Sequence, residues 1–201
     1  MAGDPPLGNL IDMSIPTNVA GPNLRTLFAL FSPVDDMPEY ELEPADEVPP
    51  PYHGLLVHEH HMTVTVEAYH GDQVDVRILA RRHTDDWYTR KILLALHGNG
   101  QVVQFGIMRV HLRYCSAAVR DEIVAGQTPL GRILIQHNVL RRIEPTGYLR
   151  VLPGPAMMKW FGIPHAQPTY GRLAIIHCDE MPAVELLEIV APEEAPLEDS
   201  R

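Results

Sequence analysis

The run WYTRKILLALHGNGQVVQFGIMRVHL (87–112) limits the possible folds more than any other part of the chain. Two apolar stretches flank Asn99-Gly100, a dipeptide that is among the strongest short hairpin signals because it supplies the positive backbone angles of a tight turn. A hairpin this apolar needs partners, and the remaining segments supply candidates. MTVTVEAYHGDQVDVRILARR (62–82) alternates, with Val64, Val66 and Ala68 on one face. A turn at His70–Gln73 and then Val74, Val76 and Ile78 complete the pattern of a second hairpin. VLRRIEPTGYLRV (139–151) reads as a third hairpin in which Pro145 limits the strand. GRLAIIHCDEMPAVELLEIVAP (171–192) reads as strand, turn at Asp179–Pro182, then strand. Helices are expected at LRTLFALF (24–31), with Leu24, Leu27, Phe28 and Phe31 on one face. A second is expected at SAAVRDEIVAG (116–126), with Ser116 as N-cap and Gly126 closing it. The pattern leaves the type of TPLGRILIQHN (128–138) open. The expected fold is α+β: a single antiparallel sheet of about six strands with helices packed on one face.

Three parts are expected along the chain. Residues 1–52 form a Pro-rich, acidic N-terminal arm with a short helix, 53–192 form the domain, and 193–201 form an acidic tail. Within the arm, SPVDDMPEYELEPADEVPPPY (32–52) carries six prolines and many acids and reads as extended or disordered linker. The net charge of −10 is peripheral. Residues 33–47 hold seven acidic side chains and residues 179–201 hold eight, leaving 11 acidic against 15 basic elsewhere. The middle of the chain therefore suits a small anionic substrate. The basic residues are dispersed and match no nucleic-acid motif, so a nucleic-acid partner is not expected. No apolar run reaches the roughly 18–20 residues of a membrane span, and the N-terminus does not read as a secretory signal. With Cys115 and Cys178 as free thiols, the expected location is cytoplasmic; oligomeric state is not legible.

The stretch HGLLVHEHHMT (53–63) holds His53, His58, His60 and His61 around Glu59. A zinc-protease helix needs histidines at i and i+4 about the Glu, and methionine occupies the required position. His58 and His60 could share a strand face, yet no third ligand is fixed, so no metal is expected and the cluster reads as surface or pocket-rim histidines. Nucleophile elbows and phosphate loops are missing from the sequence, and no organic cofactor is expected.

Two charged residues in apolar strands are more informative. By period two, Arg90 shares a face with Tyr88, Ile92 and Leu94, and an unpaired cation there is costly. It either pairs with an internal carboxylate or waits for a carboxylate ligand. Glu188, in V-E-L-L-E-I-V-A-P, poses the opposite case: a solvated edge or salt bridge, or a general acid and substrate-orienting carboxylate.

Taken in order, L-L-V-H-E-H-H-M-T (55–63), W-Y-T-R-K-I-L-L (87–94), T-P-L-G-R-I-L (128–134), Y-G-R (170–172) and Pro182 leading to E-I-V-A-P (188–192) resemble the chorismate lyase (chorismate pyruvate-lyase) family. The resemblance spans about residues 54–192. It implies an antiparallel sheet, an internal aromatic-acid pocket closed by flaps, and cleavage of chorismate to 4-hydroxybenzoate and pyruvate without metal or organic cofactor. It also implies four substrate-binding residues. Met62 contacts ligand through its backbone, Arg90 grips a carboxylate, Leu130 belongs to the flap, and Glu188 is the acidic residue of the last strand. Arg90 and Glu188 are the implied catalytic pair. Arg172, Tyr170 and Arg113 are further candidates for a second carboxylate or the pocket wall, and Glu185 rivals Glu188 for the acidic role. The segment PGPAMMKWFGIP (153–164) departs from the family pattern; it reads as a lid over a larger, greasier substrate or as a loop plugged into the core. The same fold with a changed substrate (a cyclase or other pericyclic catalyst), or a non-catalytic aromatic-acid binding module, are the alternatives carried forward.

Overall fold

The structure, a computed structural model, describes residues 21–31 and 36–193. The expected arm before residue 21 and the tail beyond residue 193 lie outside the described residues. One antiparallel sheet of seven strands organises the chain: β1 (Glu39–Glu43), β2 (Val74–His83), β3 (Trp87–Leu96), β4 (Val102–His111), β5 (Arg141–Leu152), β6 (Thr169–Cys178) and β7 (Met181–Val190). Their order across the sheet is β1-β5-β6-β7-β4-β3-β2. The helices are α1 (Leu24–Ala29), α2 (Tyr52–Leu56), α3 (Met62–His70), α4 (Ala117–Ala125), α5 (Leu130–Gln136) and α6 (Pro155–Phe161). No helix among the described residues is long and apolar enough to cross a membrane.

The β3–β4 hairpin forms as its sequence dictates, but through a wider turn. Gly100 donates to the Leu96 carbonyl at 2.8 Å, and within the turn only Gly100 takes a positive φ (73°). The β6–β7 hairpin turns through Asp179 and Glu180, both with positive φ. Helix α4 starts with the Ser116 hydroxyl accepting from the Val119 N–H and ends at left-handed Gly126.

Three expectations are corrected. Residues 62–70 alternate like a strand but fold as α3. Met62, Thr63 and Val66 are buried together, as a helix places i, i+1 and i+4, while Val64 is 47% exposed. Gly71 closes the helix in the left-handed region, its N–H donating to Glu67 O at 2.9 Å. Burial on a helical stripe has overridden the β-branched alternation. Residues 139–151 are not a hairpin: β5 runs unbroken through Pro145, which falls at a register shift against β6 between Pro145 and Gly147. Such an irregularity is where a strand tolerates a residue without an N–H. Finally, the acidic linker contributes β1, paired with β5 from Glu39↔Leu152 to Glu43↔Tyr148. The boundary expected at residue 52 therefore falls at the start of α2, and residues 39–52 belong to the domain.

The two faces of the sheet carry different layers. Helices α2 to α5 cover the face that bears Tyr88, Leu94, Met108 and Ile176. On the reverse face α1 and α6 pack over Leu93, Phe105, Leu149, Leu187 and Ile189. There Phe105 lies between Phe28 and Trp160, at 5.7 and 5.2 Å between ring centres. Residues 153–164 thus act as a core plug away from the cavity described below, since Met157 is fully buried in that layer.

Strand β6 meets β7 closely at Gly171. A Cβ there would stand 2.7 Å from the Glu188 carbonyl oxygen, a backbone atom that cannot step aside. Gly171→Ala should therefore destabilise the fold by about 1–3 kcal/mol in a urea titration. An unchanged midpoint would show that the strands can separate locally.

Candidate functional site

The registers of β3, β4, β7 and β6 build the floor of a cavity. Arg90 stands opposite Met108, Ile92 opposite Gly106 and Leu94 opposite Gln104. Beyond β4, Met108 faces Leu186, Gly106 faces Glu188 and Gln104 faces Val190. On β6, Arg172 faces Glu188 and Ala174 faces Leu186. Side chains two apart on a strand share a face, so three transverse rows arise. These are Arg90–Met108–Leu186–Ala174, then Ile92–Gly106–Glu188–Arg172, then Leu94–Gln104–Val190. Gly106 has no side chain, which leaves room above the centre of the floor. His61, Met62, Thr63, Pro129, Leu130 and Gly131 complete the lining. About 520 Å³ of free space, part of it open solvent, lies among these residues.

All four residues for which the resemblance implies substrate contact, Met62, Arg90, Leu130 and Glu188, line this one cavity. Met62 and Leu130 occupy the first positions of α3 and α5, where a backbone N–H has no partner within its helix. The others separate. Glu185 points to the reverse face and holds Arg109 through both carboxylate oxygens at 2.7 Å, so it is no rival to Glu188. Arg113 pairs with exposed Asp86, and Tyr170 packs against Tyr52 at 4.8 Å between ring centres. Arg172 lines the cavity, but its guanidinium is already engaged.

The two arginines of the floor are in opposite states. Arg172 is 1% exposed, and its Nε donates to Glu188 Oε2 at 2.7 Å. Its Nη1 donates to the carbonyls of Leu56 and His58 at 3.4 and 2.9 Å, and its Nη2 donates to the His60 carbonyl at 2.9 Å. Arg90 is fully buried and donates once, from Nη2 to the Thr128 carbonyl at 3.3 Å. Its Nε and Nη1 have no hydrogen-bond partner among the described residues. No carboxylate approaches it among the described residues, and burial pushes it below the usual guanidinium range, against the nearby Tyr88 hydroxyl. A buried cation with idle donors is costly unless an anion completes it.

The histidine-rich stretch serves this floor through its backbone and two of its rings. His58 accepts the His60 N–H on Nδ1 at 3.0 Å, so its Nε2 donates to the Leu55 carbonyl at 2.7 Å. The bond accepted on Nδ1 requires the neutral ring, and burial together with Arg172 holds His58 down to about 4. His61 accepts from Arg141 Nε at 2.6 Å and is likewise held at about 4 by burial, Arg141 and Arg172. It rests on Gly131, where a Cβ would come 2.9 Å from its own Cβ. His53 and His60 are exposed. Among the described residues no group of three or more His, Cys, Asp or Glu is placed to hold a metal ion.

Sequence reasoning missed Gln104, Gly106 and Gly131 as cavity residues, and left His61 undivided within a cluster read as surface or pocket-rim histidines. The test that singled out Arg90, a polar side chain on an apolar strand face, also picks out Gln104 beside Gly106 and Met108. His61 gives no such signal, because its role depends on a turn between two helices.

The fold and the site thus define an α+β protein whose antiparallel sheet forms the floor of a cavity. No protein-family model and no curated protein sequence matches the chain. Among solved structures, PhnF from Mycobacterium smegmatis is similar at 10% identity and a TM-score of 0.47, over 68% of this chain and 65% of that one. The ligand-binding domain of what is described as a GntR-family transcriptional regulator from Bordetella bronchiseptica is similar at 13% identity and a TM-score of 0.45, over 61% of this chain and 92% of that one. A Staphylococcus aureus gene product is similar at 8% identity and a TM-score of 0.44, over 58% of this chain and 82% of that one. Likenesses this distant carry no information about the chemistry of the cavity.

Two measurements follow from these electrostatics. Arg172→Leu strands Glu188 and should cost about 3–5 kcal/mol, whereas Arg90→Leu, which removes an unpartnered cation, should leave stability unchanged or raise it. Equal losses in chemical denaturation would contradict the difference between the two sites. Acidification is the second. With folded values near 4 against 6.5 in the unfolded chain, His58 and His61 bind protons only on unfolding in that window. Stability should therefore fall as pH drops from 6.5 towards 4, and His61→Gln should flatten that slope in melts at closely spaced pH values.

Proposed function

We propose that the cavity binds a small ring-bearing carboxylate through Arg90, and that its reaction is loss of pyruvate from chorismate to give 4-hydroxybenzoate. The observation that carries this reading is the idle Nε and Nη1 of Arg90, fully buried at the cavity wall. A planar guanidinium offers a carboxylate two parallel donors, a contact that contributes about 1.5–3 kcal/mol when charge-assisted. The meeting of Met62, Leu130 and Glu188 at the same cavity supports the finer statement.

The reaction asks little of the protein beyond placement. The hydrogen on the hydroxyl-bearing ring carbon leaves as a proton, and the bond from the neighbouring carbon to the enolpyruvyl oxygen breaks. The ring becomes aromatic, and the released enolpyruvate takes a proton on carbon to become pyruvate. Glu188 stands one row from Arg90 and uses only Oε2 towards Arg172, so its second oxygen serves as the acceptor for the moving proton. The roof at Met62 and Leu130 excludes water and holds the reactive conformer.

The same pair favours a second reading, binding without turnover. Three carbonyls hold Arg172, the partner of Glu188, so firmly that the carboxylate serves as a fixed wall that orients ligand. Purified protein given chorismate with EDTA separates the two. Formation of 4-hydroxybenzoate and pyruvate in equal amounts, lost in Arg90→Ala, supports the lyase. Saturable 4-hydroxybenzoate binding without product supports the binding module. If Arg90→Ala matches wild type in both binding and turnover, the assignment of the cavity is wrong.

A further inference from the structure

We infer that Gln104 is the specificity-determining residue of the cavity, and that its amide hydrogen-bonds a hydroxyl group on the ring of the bound acid. The inference rests on the carboxylate reading of Arg90 and deepens it by stating what the far end of the ligand must carry.

Gln104 is 3% exposed, lines the cavity, and has an Oε1 without any hydrogen-bond partner. Its strand neighbours on that face are apolar or lack a side chain: Leu94 across β3, Val190 across β7, and Gly106 two residues on. Leu94 and Val190 belong to the apolar cluster that α2 and α3 press onto this end of the sheet. An amide here gains nothing from packing that leucine would not give, and an unanswered buried acceptor costs about 1–3 kcal/mol. The amide nitrogen lies 3.8 Å from where a Cβ on Gly106 would be, so the group borders the open centre of the floor. The terminal torsion of Gln is broad and roughly two-fold, so the amide can turn either its oxygen or its nitrogen to a ligand.

The register sets the distance to the carboxylate end. Arg90 is opposite Met108, and Gln104 lies four residues from Met108 along β4. Four residues of strand and one inter-strand step place the two Cα atoms about 14 Å apart. Both side chains line the cavity, and the Gln104 amide borders Gly106. A ligand gripped by Arg90 through its carboxylate therefore presents its opposite end to Gln104, which selects a ring bearing a hydroxyl para to the carboxylate. Glu188 sits between them in the middle row, at the flank of the ring rather than its tip. The floor thus divides the work: Arg90 reads the charge, Glu188 faces the flank, and Gln104 reads the hydroxyl.

The test is a ratio of affinities, measured by calorimetry with 4-hydroxybenzoate and 4-methylbenzoate, which differ by a hydroxyl against a methyl of similar size. Wild type should prefer the hydroxy acid by roughly tenfold. Gln104→Leu should bring the ratio to about one by weakening the hydroxy acid alone. A second variant, Gln104→Met, guards against a leucine that repacks badly, and unchanged 4-methylbenzoate affinity shows that the site is intact. A preference that survives both variants, or a wild type that does not discriminate, overturns the inference. Arg90→Ala separates it from the reading beneath it. If that variant binds both acids as well as wild type does, the carboxylate assignment has failed. If it loses both while Gln104→Leu keeps the preference, only the role of Gln104 has failed.

Discussion

Burial of the Arg172 guanidinium is the interaction on which the rest of the site depends. A cation 1% exposed survives only if its donors are answered, and the answers come from two directions. Glu188 supplies a carboxylate from the adjacent strand, while Leu56, His58 and His60 supply carbonyls from the turn between α2 and α3. That turn leads directly into Met62, so the position of the cavity roof is dictated by the hydrogen-bonding demand of the floor. The prominent histidine stretch is therefore chiefly a backbone device. Its carbonyls, which no side-chain motif reveals, do more than most of its rings.

Set beside Arg172, Arg90 shows how one sheet carries the same residue type for opposite ends. The two lie in neighbouring rows of the floor, on β6 and β3, with two strands between them. One is satisfied by the protein, at the cost of holding a whole turn in place. The other keeps two donors idle in an apolar wall. An unmet demand of this size in an otherwise well-packed core is the feature on which the proposed carboxylate contact rests.

Much of this was legible in the sequence, and the division follows physical lines. The hairpin at 87–112 and the helix at 116–126 follow from turn chemistry and caps, which act over a few residues. Arg90 and Glu188 stood out because a charge on an apolar strand needs an explanation wherever the strand goes. The helix at 62–70 was not legible, since MTVTV alternates perfectly and only its tertiary burial selects the helical stripe. Strand β1 was hidden beneath prolines and acids, whose composition suggests disorder while an open edge of β5 makes a partner welcome. The pairing of Arg172 with Glu188 depends on the β6–β7 register, and that of Glu185 with Arg109 on the β4–β7 register. A one-residue slip of β7 would turn Glu188 away from the cavity face and Glu185 onto it.

Gly106 has one more consequence. A methyl group at this position would meet Ile92 Cγ1 and the Leu187 carbonyl oxygen at 3.5 Å, which is ordinary contact without strain. The volume available above the sheet can therefore be trimmed one carbon at a time from the floor, leaving the arginines, the glutamate and the glutamine in place. The free volume above the sheet and the polar groups around it are thus set by different residues, so one can change without disturbing the other.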